Sequence, residues 1–333
     1  MTTSSKTMTS IVQDHYGSEP EAVLRLAEVA KPTAFEEGVL VRVRAASVDR
    51  GTWHVMAGLP YPVRLAGFGL RRPKHSNPGR SFAGTVEALG AGATGFDVGD
   101  AVFGVCASSF AEYAIVGTKK LALKPAELSF EQAAAVPISG LTALQAVRDH
   151  ARVRRGEKVL IMGASGGVGS FAVQIAKIFE AEVTGVCSTP KVDLVRGLGA
   201  DHVIDYTAGS ATNSHRYDVI LDTGGNRRLS DLRRALTPKG RLVIVGGETD
   251  GRWLGGADRQ LRALVMSRFV GHELGTFVSS ENAADLAVLG ELLEAGKIAP
   301  VVDRIFSLDE TAAAIRRMLD GHARGKVVIS VPA

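Results

Sequence analysis

Cysteine is nearly absent: Cys106 and Cys187 are the two thiols in 333 residues. Without a CxxC pair they are too few for a disulfide framework or a structural metal knuckle, and they point to a reducing compartment, the cytoplasm. Aromatic residues make up only 6% of the chain, which leaves little for the stacking platforms of a nucleic-acid binder. The formal net charge is +4, but Lys and Arg are scattered among Asp and Glu, so no nucleic-acid partner is expected. Met1 to Ser10 is rich in Ser and Thr and has no apolar core, so it reads as a loose tail rather than a signal peptide or an anchor. Val159 to Ala176 carries no charge over nearly the length of a bilayer crossing. Its centre, Gly163 to Ser170, holds four glycines and two serines and is better suited to strand, turn and buried helix, so no membrane partner is expected. The eight histidines form no HExxH and no recognisable triad, which removes the usual footholds of hydrolase chemistry.

What is present has a clear rhythm. A chain of 333 residues exceeds the usual size of one hydrophobic core, so two domains are expected. The first third is β-rich: Val39 to Arg44 alternates, and Phe82 to Gly90, Ala101 to Val105 and Ala111 to Val116 are short apolar runs between glycines. That pattern fits a small, irregular barrel. Pro60, Pro62, Pro73 and Pro78, with Gly58, Gly67 and Gly69, mark a long loop expected to border a substrate cleft. From about Leu128 strand-like runs recur at Val159–Met162, Val183–Cys187, Val203–Ile204, Val219–Asp222, Leu242–Val245 and Phe269–Gly271, most of them separated by helical patterns. Such alternation predicts a parallel, doubly wound sheet with helices on both faces. An amphipathic helix from Glu281 to Ala295, a second from Asp309 to Leu319 and a final strand from Val327 to Val331 follow.

The most specific signal lies between the first strand and helix of that sheet. Lys158 to Met162 reads as a strand, Gly163-Ala164-Ser165-Gly166-Gly167-Val168-Gly169 as a turn, and Ser170 to Phe179 as a helix. Ala164-x-Gly166-x-x-Gly169 matches a dinucleotide fingerprint with Ala in its first place, so backbone amides can approach a pyrophosphate at the helix N-terminus. NAD binders place an acidic residue about 20 positions further on. Cys187-Ser188-Thr189-Pro190-Lys191 stands there instead; two hydroxyls and the Lys191 ammonium suit a 2′-phosphate, so NADPH is the expected cofactor. Other strand ends, Asp222-Thr223-Gly224, Val245-Gly246-Gly247 and Gly275-Thr276-Phe277-Val278, are expected to wall the same crevice.

Further landmarks stand in order: Ala45-Ala46-Ser47-Val48-Asp49, Pro78-Gly79 with Ala83-Gly84, Gly95-Phe96 with Gly99-Asp100, Phe110-Ala111-Glu112-Tyr113, Gly140-Leu141-Thr142-Ala143, Gly197-Leu198-Gly199-Ala200-Asp201 and Ala323-Arg324-Gly325-Lys326-Val327-Val328. With them the chain resembles, over nearly its whole length, the medium-chain dehydrogenase/reductase superfamily in its zinc-independent quinone oxidoreductase branch. The resemblance implies an α/β fold: a Rossmann doubly wound parallel sheet over 126–272, plus a GroES-like β-barrel-type catalytic domain built from 1–125 and 273–333. A homodimer is expected. Ser165, Gly167, Val168, Ser188 and Lys191 are implied to hold the phosphates, with Tyr206 near the adenosine. Phe277 and Val278 are implied to flank the nicotinamide, and His322, Ala323 and Arg324 to close over the cofactor.

Zinc alcohol dehydrogenases share this architecture, but their catalytic cysteine and histidine positions correspond here to Asp49 and Arg80, and an Arg repels a metal ion. No metal is expected. Relatives in the quinone branch carry Asn where this chain has Asp49 and an acidic residue where it has Ser81. Without a metal, the simplest chemistry is hydride transfer to an acceptor that is already electrophilic, a quinone or an enone. Tyr61, Thr142 and Tyr113 are candidate proton donors, Asp49 faces either substrate or a neighbouring loop, and His54 either lines the cleft or is structural. The competing expectation is an NADPH-binding redox sensor or structural protein with little turnover, which the fold alone does not exclude.

Overall fold

The computed structural model describes residues 6–33, 38–208, 216–225, 227–246, 253 and 255–332. They fall into two compact units, one of residues 1–138, 281–296 and 300–333, the other of 139–280 and 297–299.

The first unit opens with a hairpin-like pair, β1 (Thr7–Val12) and, after the short α1 (Pro20–Val23), the antiparallel β2 (Arg25–Ala30). Thr7 to Ser10 is therefore strand and not loose tail; Met8 and Ser10 are buried because alternate side chains of β1 face inward. The long β3 (Gly38–Val48) is followed by α2 (Arg50–Ala57), β4 (Ser81–Leu89), β5 (Ala101–Val105), β6 (Tyr113–Gly117) and β7 (Leu121–Leu123). β3 pairs with β4 along most of its length, with two register shifts, and its first half also pairs with β6. Bulges of this kind bend a strand and allow a sheet to curl. Phe82, Phe103 and Phe110 fill the interior, all fully buried.

α3 (Phe130–Ala134), capped by a reciprocal Ser129/Gln132 box, packs on β3 and β4, and for that reason the first unit runs to Ile138 rather than ending at 125. The second unit begins within α4 (Pro137–Gln145). Its elements are β8 (Lys158–Met162), α5 (Gly167–Ile178), β9 (Glu182–Cys187), α6 (Val192–Gly197), β10 (His202–Asp205), β11 (Tyr217–Asp222), α7 (Leu229–Arg234), β12 (Leu236–Ile244), α8 (Ala257–Ser267) and β13 (Glu273–Thr276). The sheet is wholly parallel in the order β10-β9-β8-β11-β12-β13, the order of a doubly wound dinucleotide fold. Val159, Leu160, Ile161, Val219, Ile220 and Leu221 have no exposed surface, as strands covered on both faces must. One expected strand is absent: Phe269–Gly271 is a turn closing α8, with Phe269 83% exposed, and the edge strand starts at Glu273.

The chain then returns to the first unit with α9 (Ala283–Glu294), β14 (Val302–Ser307), α10 (Thr311–Leu319) and β15 (Lys326–Ser330). β15 pairs antiparallel with the second half of β3, and Leu308, Ile315, Val327 and Ile329 join the core of the N-terminal strands. Residues 297–299 stay with the second unit because the Gln174 amide exchanges two hydrogen bonds with the Ala299 backbone, at 3.0 and 2.8 Å. Among the described residues no helix is long and apolar enough to cross a membrane.

Candidate functional site

In the second unit the carboxyl ends of the parallel strands gather the expected cofactor residues at one edge of the sheet. β8 ends at Met162 and the chain turns through Gly163, whose φ of +74° is a left-handed conformation that favours glycine. The turn has no room for side chains where it folds back: a Cβ on Gly169 would stand 2.1 Å from the Gly163 carbonyl oxygen. Ala164 N–H donates to Val186 O at 3.0 Å, which ties the turn to the end of β9.

Gly166 caps the twelve-residue α5, and the Ser170 amide makes the first helical bond back to it at 2.9 Å. The amides of Gly167, Val168 and Gly169 precede that bond, so helix geometry leaves them without intrahelical acceptors, and the helix dipole adds positive potential there. Backbone donors at a glycine-rich helix N-terminus fit a pyrophosphate. Ser165 is buried within the turn.

Thr223, after β11, sits behind this turn. Its hydroxyl donates to Met162 O at 2.6 Å, and a Cβ on Gly163 would meet that hydroxyl at 2.8 Å. Gly246, after β12, presses on the Thr223 carbonyl so closely that a Cβ would come within 2.8 Å. Gly247 lies outside the described residues. Asp222, with no exposed surface, accepts from Gly225 N at 3.0 Å and pairs with Arg259 of α8. Sequence reasoning missed Arg259, which stands 37 residues from its partner and carries no local pattern.

The loop expected to receive the 2′-phosphate meets a residue from another strand that sequence reasoning also missed. Ser188 is half-buried, and Thr189 and Lys191 lie in the short turn Thr189–Lys191. The Thr189 hydroxyl donates to the carboxylate of Asp205, at the end of β10, at 2.5 Å, and Thr207 Oγ1 donates to the same carboxylate at 2.6 Å. These hydrogen bonds hold the Asp205 carboxyl below its usual range. An ionised carboxylate therefore stands beside Thr189, brought there by β10 pairing with β9 and not by sequence proximity. Tyr206 follows it and is half exposed. Burial, with the Asp205 charge adding to it and Lys191 opposing, pushes the Cys187 thiol up.

Past β13, the segment from Phe277 to Ser280 is fastened to α4. Gln145 exchanges two hydrogen bonds of 2.8 Å with the Ser280 backbone, and the Thr142 hydroxyl donates to Ser279 Oγ at 3.1 Å. Phe277 stacks on His150 with ring centroids 4.0 Å apart, while Val278 is 95% exposed.

The other expected residues belong to the first unit. Asp49 caps α2, its Oδ1 accepting from Thr52 N at 3.2 Å, while Oδ2 lies 4.0 Å from Lys326 Nζ. Tyr61 packs against Arg64, whose guanidinium is 4.9 Å from the ring centroid. His54 Nδ1 is 2.7 Å from Leu59 O, a structural contact. Arg80 pairs with Glu281, which also accepts from Lys120 at 2.7 Å. With a guanidinium at one expected ligand position and a capping, lysine-facing carboxylate at the other, the donor set does not fit zinc. Among the described residues no three His, Cys, Asp or Glu side chains come together. His322, Ala323 and Arg324 lie in the connection before β15, where Arg324 N donates to Asp303 Oδ1 at 3.0 Å.

Two family models match: an alcohol dehydrogenase GroES-like domain over residues 36–126 and a zinc-binding dehydrogenase over 198–329. The chain is 33% identical to the mitochondrial NAD(P)H oxidoreductase of Danio rerio, over 97% of this chain and 91% of that protein. It is 32% identical to the 2-methylene-furan-3-one reductase of Solanum lycopersicum, over 94% of this chain and 76% of that one. Among solved structures it is similar to the quinone oxidoreductase from Coxiella burnetii, with 29% identity and a TM-score of 0.83 over 98% of this chain and 100% of that one.

Proposed function

Because this chain belongs to the medium-chain dehydrogenase/reductase superfamily, in its quinone oxidoreductase-like branch, and is an oxidoreductase served by a nicotinamide cofactor, we propose that it uses NADPH to reduce a quinone or an α,β-unsaturated carbonyl without a metal. The observation that carries the reading is the Gly163–Gly169 turn, where a glycine-rich helix N-terminus stands at the carboxyl end of β8.

NADPH supplies a hydride when bound. The chain's own part is to hold, orient and shield. Ser165, Gly166, Gly167 and Val168 would hold the pyrophosphate, Ser188, Thr189 and Lys191 the 2′-phosphate, and Tyr206 the adenosine. Thr223 and Gly246 would shape the floor, and Phe277, Val278, His322, Ala323 and Arg324 would take the nicotinamide side and the cover. Asp205 bears on the NADPH preference: its carboxylate stands beside Thr189 and accepts from that hydroxyl, so a bound 2′-phosphate would rely on Ser188 and Lys191 more than on Thr189.

In an enone the electron pair released by hydride addition moves to the carbonyl oxygen, remote from the attacked carbon, and a proton then completes the product. Tyr61 or Thr142 would give that proton. Asp49 is assigned to positioning, since its oxygens face the first turn of α2 and Lys326. The donor set at Asp49 and Arg80 supports chemistry without zinc, and the tomato relative's named substrate, a ketone conjugated to an exocyclic methylene, supports the enone class. A homodimer would use the β13 edge of the sheet and the exposed α8 stripe of Leu261, Leu264 and Val265. Two buried free cysteines suit a reducing, cytoplasmic setting.

The test is oxidation of NADPH and NADH by metal-stripped protein across a panel of quinones and conjugated ketones. Preferential consumption of NADPH without added zinc supports the reading. Tight NADPH binding with no acceptor reduced would move the assignment to a redox sensor, and turnover that requires zinc would overturn the metal-free chemistry.

A further inference from the structure

We propose that the loop from Leu65 to Lys74 is a docking element for an anionic membrane surface. Its charge pattern is unusual: no Asp or Glu occurs between Asp49 and Glu87, a stretch that contains Arg50, Arg64, Arg71, Arg72, Lys74 and Arg80. Arg64 and Arg80 are committed to the fold, and Arg50 is engaged as well. Arg64 lies between the rings of Tyr16 and Tyr61, at 4.5 and 4.9 Å, and donates to Gly58 O at 2.9 Å, and Arg80 pairs with Glu281. Arg71, Arg72 and Lys74 are exposed, and none of them makes an ion pair among the described residues.

The backbone presents these cations on a closed, tethered tip. Lys74 N donates to Phe68 O at 2.7 Å, which closes the loop, and the Tyr16 hydroxyl lies 2.8 and 2.7 Å from the carbonyl oxygens of Phe68 and Gly69 and pins its base. Gly69, at φ +106°, lets the chain fold so tightly that a Cβ would meet Arg72 O at 2.2 Å. The tip that results carries Leu70, Arg71 and Arg72, with Leu70 65% exposed and Leu65, at the start of the loop, 74% exposed.

Aliphatic side chains held in water beside unpaired cations match the boundary between lipid headgroups and acyl chains, where leucine leaves water while arginine meets phosphate. A nucleic acid would gain nothing from two leucines, and the loop's one aromatic residue, Phe68, is partly covered rather than offered for stacking. The sequence-based expectation of no membrane partner rested on the lack of a spanning segment, which has no bearing on surface attachment. Lipophilic quinones partition into such a bilayer, so docking would bring the protein to its acceptor; that consequence alone rests on the function proposed above.

The test is flotation of the full-length protein with vesicles of phosphatidylcholine alone and of phosphatidylcholine mixed with phosphatidylserine, without substrate or cofactor. Binding to the mixed vesicles at low salt, weakening as salt rises, is the expected result. Arg71→Gln and Arg72→Gln should each lower the partition coefficient about fivefold. Leu65→Ser with Leu70→Ser should lower it further without changing the salt dependence. Failure to bind the mixed vesicles, or undiminished binding when Leu65→Ser, Leu70→Ser, Arg71→Gln and Arg72→Gln are combined, would overturn the proposal. So would leucine variants that keep vesicle binding but raise KM for a water-soluble quinone, since the loop would then belong to the acceptor site. Vesicle binding is read without turnover, so an absence of reductase activity would count against the proposed function and leave this inference standing.

Discussion

The ammonium of Lys326, 2% exposed, lies 4.0 Å from Asp49 Oδ2 and donates to the Val48 carbonyl at 2.9 Å. Burial pushes the Lys326 pKa down, and the Asp49 charge opposes that shift. The pair therefore joins β15, at the end of the chain, to the first turn of α2.

Asp49→Asn separates the two duties of this carboxylate, because Asn caps a helix as well as Asp but carries no charge. The expected loss of stability at neutral pH is up to about 3 kcal/mol, below the full cost of stripping a contact ion pair because 4.0 Å exceeds hydrogen-bond reach. The pH dependence has a definite sign. With its folded pKa depressed, Lys326 binds fewer protons folded than unfolded between that value and the unfolded lysine pKa of about 10.4, so its burial penalty eases as pH rises through this window. The variant's folded pKa is lower still, so its deficit relative to the parent should narrow on going from neutral to alkaline pH in urea titrations. A deficit that grew with pH would show that the charge pair is not its cause.

The dinucleotide turn offers a contrast between neighbouring glycines. Gly169→Ala places a Cβ 2.1 Å from the Gly163 carbonyl oxygen, so the turn must open and folding suffers. Gly166 has an extended backbone at φ −83°, and a Cβ there would stand 3.3 Å from the same oxygen, which a small shift accommodates. Gly166→Ala should keep its Tm within a few degrees yet bind dinucleotide at least about tenfold more weakly, the loss of roughly one charge-assisted hydrogen bond. Calorimetric titration with NADPH, beside a melting curve, reads both.

Asp205 predicts a change in cofactor choice. In Asp205→Asn the like charge is removed from the neighbourhood of Ser188 and Lys191, and the Thr189 hydroxyl keeps an uncharged acceptor. KM for NADPH should fall about two- to fivefold, the range of an exposed charge contact, while KM for NADH stays nearly constant. Added salt should shrink the difference. Equal changes for both cofactors would place the 2′-phosphate elsewhere.

Asp205 also shows where sequence reasoning stops. The buried strands of the second unit were legible because parallel strands covered on both faces read as continuous apolar runs, and the turn was legible because its glycines follow directly on one of them. Asp205 reaches Thr189 only through the pairing of β10 with β9, and Arg259 reaches Asp222 from a helix 37 residues away; neither contact leaves a local trace. Phe269–Gly271 misled for a different reason, since an exposed phenylalanine at a helix end resembles a strand when composition is the only guide. β1 was missed because Thr7, Thr9 and Ser10 look like tail composition, whereas the inward positions Met8 and Ile11 decide the structure.

Thr142 was expected as a proton donor, yet its hydroxyl meets Ser279 at 3.1 Å, and Gln145, one turn further along α4, holds Ser280 through two bonds of 2.8 Å. Both side chains thus fasten the segment that carries Phe277 and Val278. A general acid contributes about 10²- to 10⁴-fold to rate, whereas a fastening hydrogen bond contributes far less. If the role is positioning, Thr142→Val should lower kcat by less than about tenfold and leave its pH profile in place. Gln145→Ala should then do more, because the Ser280 backbone loses both partners: KM for the cofactor should rise, and stability should fall by about 1–3 kcal/mol for the two groups left unsatisfied. A hundredfold drop in kcat for Thr142→Val, with Gln145→Ala nearly silent, would instead make Thr142 the donor, and Tyr61→Phe would then retain full activity.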